Sequence, residues 1–593
     1  MNTTASLRKV ANFHAQARIL MYKLLSLLSF LLAAYAINAQ SDQPFTGNET
    51  VTWQEAVEIY QELAFEHYED ATFEVIGSTD VGKPLHMFVI HKGAGGQLEE
   101  EHTKPVLFIN NGIHPGEPCG VDASIKLARN LLSGDQRYNQ LLDSVIVAMI
   151  PIYNVGGALN RGCCVRANQN GPEEYGFRGN ARNLDLNRDF IKLDSYNAQA
   201  FTAAYHALRP EVMVDTHTSN GADYQYVMTM IATQPDKAGE EIGNYIREKM
   251  NPALYAEMDN RGFGMTPYVF TLGRTPDEGI RDYLETPRYS TGYAALFNTI
   301  GYTSETHMLK PFAQRVESTY QFLLSTLEYM HANATELVEL KQRADAKVAA
   351  QKTFDLQWEL DTTQWREIPF KGFEAGYKPS KIHGEDRLYY DRKKPFEKKI
   401  RYYDHYVATR TVEAPEAYVI PQAWREVVYR LDLNGVEAVE VQQDTIVELS
   451  VYYIRDFKSS PRVYEGHHLN TVTKLDKVVE EVQLFKGDLM VYVDQPRNRY
   501  IVETLEPEGA DAFFVWNFFD SAMQQKEWYS DYVFEDTAAR LLKEDKSLRE
   551  AFDAAKAADA ELAGSPRMQL YWIYTHSPYF EGTVNRYPVF RME

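Results

Sequence analysis

The first half of this chain predicts an α/β fold: a mixed, mostly parallel sheet with helices on both faces, followed by a β-rich accessory region. Three observations lead there. Between about residues 50 and 350, apolar strand-like runs alternate with segments of helical spacing. The runs are almost continuously apolar, as strands covered on both faces are. After about residue 355 the pattern gives way to charged, tyrosine-rich and alternating segments.

Taken in order, "LHMFVIH" (85–91) and "PVLFIN" (105–110) read as strands, and "GVDASIKLARNLL" (120–132) has helical spacing. "SVIVAMIPIYN" (144–154) is a buried strand, "SYNAQAFTAAYHAL" (195–208) a helix, "EVMVDTH" (211–217) a strand and "KAGEEIGNYIREKM" (237–250) a helix. "YTSETH" (302–307) is a short strand, and one long polar helix is expected from about Phe312 to Gln351. Beyond 355, "VVYRLDL", "IVELSVYYI" and "DLMVYV" alternate like antiparallel strands, and 537–563 is helical. The expected division is a leader over 1–40, a first domain over 41–354 and a β-rich domain with a helical element over 355–593. A chain of 593 residues is long for a single core, which fits two domains.

With 44% hydrophobic and 24% charged residues the composition is that of a globular protein. A net charge of -22 argues against nucleic acid as a standing partner, since phosphate binding needs clustered Lys and Arg. The stretch "MYKLLSLLSFLLAAYAINAQ" (21–40) has a basic residue, an apolar run and small residues ending at Ala39-Gln40. That is the layout of a secretory signal, with Met21 as a candidate start; the run of about a dozen residues is short for a membrane span. A secreted or periplasmic protein with no stable span after cleavage is expected. The three cysteines, Cys119, Cys163 and Cys164, form no disulfide framework. Cys163 and Cys164 are adjacent and would bond each other only with strain, so a Cys119 link to one of them is one expectation and buried free thiols are the other.

The chemistry begins in "FINNGIHPGEPCG" (108–120), where a buried strand stops and His114 and Glu117 follow. A lone H-x-x-E pair is a weak signal. Its context strengthens it: the pair sits at a strand end, the rim where α/β sheets place ligands, and Pro115, Gly116 and Gly120 fix a turn. His217 also follows a buried strand. Two histidines and a carboxylate leave a fourth position open, the donor set of a catalytic rather than a structural zinc. "NLDLNRDF" (183–190) offers Asp185, Asn187 and Arg188, "YGFRGNAR" offers Arg178, and "GYTSETHMLKPF" offers Glu305 as a base. His467 and His468 lack an acidic or cysteine partner at ligand spacing and read as a polar loop.

In this order, "HPGE", "RGNARNLDLNRD", "DTH" and "SETH" resemble the zinc metallocarboxypeptidases of the carboxypeptidase A/B type, over roughly residues 50–340. The intervals suit that family: 70 residues from Glu117 to Asn187, 30 to His217 and 88 to Glu305. The resemblance implies one zinc per chain, held by His114, Glu117 and His217, with Asp185 orienting His114. It implies Glu305 as the base towards metal-bound water, Arg178 as oxyanion stabiliser, and Asn187 and Arg188 gripping the terminal carboxylate of a peptide. Tyr283, Tyr289 and Tyr293 are candidates for the family's mobile tyrosine; Tyr293 is preferred because "PRYSTGY" is similar to bacterial members, with Arg288 facing substrate. Two alternatives remain: a zinc amidase acting on N-acyl amino acids, which also carry a carboxylate, and a non-catalytic binding protein on a peptidase scaffold.

Overall fold

The structure is a computed structural model that describes residues 45–96 and 103–593; the leader expected over 1–40 lies outside them. No helix among the described residues is long and apolar enough to cross a membrane. Contacts divide the chain into two units, one of 1–347 with 358–407 and one of 348–357 with 408–593.

The first unit is built on an eight-stranded mixed sheet of β1 (Ala71–Ser78), β2 (Pro84–Ile90), β3 (Val106–Asn110), β4 (Ile146–Ile150), β5 (Val212–Ser219), β6 (Met228–Ala232), β7 (Thr266–Pro267) and β10 (Ile300–His307). Two short strands, β8 (Phe270–Thr271) and β9 (Ile280–Arg281), belong to a separate sheet. The strand order is β1-β2-β4-β3-β5-β10-β6-β7. Pairings are parallel from β4 through β3 and β5 to β10, and antiparallel at β1–β2, β2–β4 and β10–β6. Strands β3, β4, β5 and β6 are buried at every residue, which explains the apolar runs of β3 and β4 and of the first half of β5. Helices Cys119–Leu132 and Phe312–Ala332 pack side by side, and Leu127, Leu131, Phe322 and Leu323 join one continuous core with the sheet. The single long helix expected over 312–351 is two helices, Phe312–Ala332 and Ala334–Ala350. Asn333 breaks the run: its backbone leaves helical geometry, and its side chain bonds the Tyr329 carbonyl.

The boundary expected at 354 differs from the division by contacts. Strands Arg366–Pro379 and Asp386–Tyr403 form a long hairpin that adds in parallel to β9 (Tyr402↔Ile280). Gln225 Nε2 donates to the carbonyls of Gly372 and Phe396, and Tyr224, Ile280, Ile368, Phe370 and Tyr402 share one small core. The charged, tyrosine-rich stretch therefore belongs to the first unit, because its long strands need that edge and core to bury one face.

The second unit centres on a six-stranded sheet that includes Ala417–Ile420, Leu489–Tyr492, Phe590–Met592 and a long hairpin of Thr445–Ser459 and Asn470–Leu484. "VVYRLDL" is not a strand but lies in helix Arg425–Leu433, with Val427, Arg430 and Leu431 buried at helical spacing. Four helices, from Asp531–Glu544 to Pro566–Thr575, bury Phe534, Phe552, Ile573 and Tyr574 as a separate cluster. The region is β-rich, with more helix than the sequence pattern indicates.

One buried histidine of the first unit sets a pH dependence of folding. At the end of β10, His307 Nε2 donates to the Ala222 carbonyl at 2.8 Å, and its Nδ1 accepts from the Leu309 N–H at 3.1 Å. The second contact requires an unprotonated Nδ1, and burial holds the imidazole down at about 4. The folded state therefore binds fewer protons than the unfolded one below pH 6.5, and stability falls as pH drops from there to about 4. The expected loss is about 3 kcal/mol by pH 4. Urea unfolding of the wild type and His307→Gln should show the stability gap shifting towards the variant on acidification; a gap independent of pH contradicts the assignment.

Candidate functional site

The site forms where β3, β5 and β10 end side by side. After β3 the chain turns through Gly112, whose φ of 66° favours glycine, and delivers His114. The Glu117 N–H bonds the His114 carbonyl at 2.8 Å, closing a turn that brings both side chains to one space. Helix Cys119–Leu132 starts immediately afterwards and presses on β5: a Cβ at Gly120 would lie 1.9 Å from Thr216 Oγ1, so no larger residue fits. His217 comes from β5 itself. Its register partner on the parallel neighbour β10 is Glu305, and paired residues project to the same face.

His114, Glu117 and His217 offer ligand atoms all within 4.8 Å of one another, on side chains that are almost wholly buried. Both imidazoles turn the same atom to Glu117: His114 Nδ1 lies 3.3 Å from Oε1 and His217 Nδ1 3.2 Å from Oε2. Their other nitrogens are held by acids, His114 Nε2 by Asp185 at 2.9 Å and His217 Nε2 by Asp215 at 2.9 Å. A carboxylate on Nε2 fixes the proton there and leaves the Nδ1 lone pair for a cation, the usual support of a histidine ligand. Despite the opposing effect of burial, Arg166, His114 and His217 hold the Glu117 carboxyl well below the ordinary range, so it stays ionised. This donor set fits zinc.

Around it, Arg178 reaches from Asp185 Oδ2 (Nε, 2.9 Å) to His114 Nδ1 and Glu117 Oε1 (Nη1, 3.2 and 3.4 Å), with its side chain 44% exposed. Asp185 also accepts the Asn187 N–H at 2.9 Å, opening the short helical turn Leu186–Arg188. Asn187 Oδ1 accepts from the Ser290 N–H at 3.2 Å, and the Arg188 guanidinium lies 4.2 Å over the Tyr289 ring. Tyr289 continues into a set of rings with Tyr283 and Tyr268, at centroid spacings of 6.2 and 5.9 Å. Arg288 lies beside Tyr289, partly buried, in the turn before helix Ser290–Leu296. Tyr293 is not brought to the site. It sits inside that helix, fully buried against Phe190, Tyr205 and Phe297, with its hydroxyl 3.0 Å from His206 Nε2. The apolar face of a short helix takes a tyrosine into the core there, and Tyr283 and Tyr289 are the ones on the Arg188 side.

Burial, with Glu117 and Glu285 adding to it, pushes the Glu305 carboxyl up to about 8 against the pull of His217 and Arg166. Its Oε2 is buried with no hydrogen-bond partner. A carboxyl kept near neutrality beside a candidate metal group is suited to exchange a proton.

Three contributors escape sequence reasoning. Asp215, two residues before His217 on the same face of β5, is the clearest, since i and i+2 on a strand share a face. Arg166 donates from Nη1 to Glu117 Oε1 (2.7 Å), from Nη2 to the Thr218 carbonyl (2.8 Å) and from Nε to Gln169 (2.6 Å). Its loop position carries no periodic signal. Just before it, Cys163 and Cys164 are disulfide-bonded to each other, and Cys119 is a buried free thiol. Buried Glu285 accepts from the N–H and hydroxyl of Thr291 at 3.0 and 2.5 Å.

Residues 57–259 match the zinc carboxypeptidase family. Over that span the chain is similar to the zinc carboxypeptidases. It is a hydrolase, and zinc is the metal that His114, Glu117 and His217 would hold. The matched span includes those three residues with Arg178, Asp185, Asn187 and Arg188, and ends before Glu305. Carboxypeptidase 2 of Trichophyton rubrum is 22% identical over 463 residues, covering 75% of this chain and 79% of that protein. Carboxypeptidase E of Caenorhabditis elegans is 31% identical over 134 residues, 21% of this chain and 26% of that one. A metallo-carboxypeptidase structure from Burkholderia cenocepacia is similar with 16% identity and a TM-score of 0.37, covering 48% of this chain and 70% of that one.

Proposed function

We propose that the protein removes single residues from the C-terminal end of peptides, using one zinc at His114, Glu117 and His217 and Glu305 as the base. The observation that carries this reading is the register of Glu305 with His217 on adjacent parallel strands, which puts a carboxyl with an unpartnered oxygen next to the ligand group. Zinc, when bound, polarises a peptide carbonyl and makes water a better nucleophile at neutral pH. The chain's own residues supply the rest. Glu305 takes a proton from the attacking water and passes it to the leaving amine. Arg178, half exposed at the rim, donates to the developing oxyanion. Asn187 and Arg188 bind the terminal carboxylate, with the Arg188 fork kept planar against Tyr289. Asp185 and Asp215 hold the two imidazoles in the ligating tautomer. Arg288 adds a second cation near the substrate's carboxylate end, and Tyr289, against Arg188 with Tyr283 behind it, replaces Tyr293 as the tyrosine closest to substrate. The site works outside the cytoplasm, in keeping with the signal-like pattern ending at Ala39-Gln40.

A panel of unmodified peptides assayed beside N-acyl amino acids tests the reaction class. Stepwise loss of C-terminal residues with little deacylation is expected. Faster release of free amino acids from N-acyl substrates than from peptides would turn the reading to an amidase.

A further inference from the structure

The opposite face of the same sheet carries a second site. Along β6, Thr229 pairs with Glu305 and shares its face, while Met230 and Ala232 project to the other side. There a cavity of about 500 Å³ lies between β6, helix Asn251–Asn260, β7 and the long hairpin, entirely within the first unit. That volume falls in the range of small-molecule sites. Its walls are largely apolar and aromatic, with Met230, Met265, Ile368, Tyr255 and Tyr402 among them.

Its charged groups do not balance. Asp404 is matched by Arg366 Nε at 2.7 Å. Arg247 is engaged by Asp236 at 3.0 Å, and His405 Nδ1 lies 3.6 Å from the same carboxylate. Asp282 has no such partner. It is 8% exposed, its side chain is bonded by the Tyr402 hydroxyl, and no Lys, Arg or His among the described residues forms an ion pair with it. Arg247, which lowers its pKa, is already committed to Asp236.

We propose that this cavity binds an organic monocation, a primary amine on an apolar or aromatic body, with its ammonium on Asp282. An ammonium donates three hydrogen bonds and brings the counter-charge that the Asp282 carboxylate lacks. The faces of Tyr255 and Tyr402 attract a cation, and the methionine and isoleucine walls bury its hydrocarbon. A neutral ligand leaves the carboxylate unmatched, and an anion adds a second like charge beside Asp404. Burial, reinforced by Asp404, pushes Asp282 up to about 7, the condition of a carboxylate short of a counter-charge.

Calorimetric titration of the zinc-loaded full-length protein with 2-phenylethylamine, 3-phenylpropan-1-ol and 3-phenylpropionate tests this. One saturable site for the amine is expected, with the alcohol and the acid at least about tenfold weaker. Asp282→Asn should weaken the amine by about tenfold or more. The substitution keeps the side-chain volume, and thermal unfolding checks that the variant folds. Equal binding of amine and alcohol, undiminished amine binding to Asp282→Asn, or no saturable heat with any probe would overturn the proposal.

Discussion

Glu305→Gln is expected to retain one zinc per chain and to lose turnover by about three orders of magnitude. The amide keeps the size and shape of the carboxylate, and Glu305 is not one of the three grouped ligands, so the metal site itself is untouched. What the variant cannot do is accept a proton. The wild-type carboxyl is buried beside Glu117 and Glu285 with one oxygen unpartnered, so nothing in the fold depends on a hydrogen bond to that oxygen. A neutral amide of the same shape places no charge in the buried site, so the variant is expected to fold. Metal analysis, thermal unfolding and steady-state kinetics on one preparation separate the outcomes. A folded, zinc-replete variant with wild-type kcat removes Glu305 from the chemistry.

His217→Ala should lose both zinc and activity, whereas Asp215→Asn should keep measurable zinc at weaker affinity. Alanine deletes one of three donors and leaves Glu117 Oε2 and the Asp215 carboxylate facing the gap, with only Thr218 N–H still bonded to Glu117 Oε2. Two protein donors do not hold a zinc against competition from solvent. Asp215→Asn removes the charge behind the imidazole but keeps a hydrogen-bonding group in reach. A loss of about 10–100-fold in zinc affinity is expected, the usual effect of changing an acid behind a ligand histidine. Competition with a calibrated chelator reads both variants on one scale. Equal affinities for the two variants and the wild type would mean that the metal binds elsewhere.

Part of the site was legible because His114 and His217 sit at the ends of buried runs, which hydropathy marks, and Glu117 follows His114 within one turn. Asp185, Asn187 and Arg188 carry no such signal, and only the resemblance to zinc carboxypeptidases singles them out. Contacts that depend on how loops fold back were not legible. Arg166 reaches Glu117 across 49 residues of chain, and no periodicity marks it. The "PRYSTGY" run favours Tyr293 over Tyr283 and Tyr289, and only packing shows its ring enclosed by Phe190, Tyr205 and Phe297. The same limit governs the fold. "VVYRLDL" is rich in β-branched valine and alternates over a few residues, yet it buries Val427, Arg430 and Leu431 as a helix. The hairpin of Arg366–Pro379 and Asp386–Tyr403 has a composition unlike the preceding α/β pattern, and it joins that unit because β9 offers an edge.

On the proposed reading, His114 and Glu117, three residues apart, join His217 in one zinc site that cleaves next to a free carboxylate. Mass spectrometry of products from a matched pair of peptides, identical except for a free or amidated C-terminus, tests it most directly when run with zinc-loaded and with chelated protein. The account predicts loss of the last residue from the free peptide only, by the zinc-loaded protein only, restored when zinc is returned. Cleavage that survives chelation, or that treats both peptides alike, would contradict it.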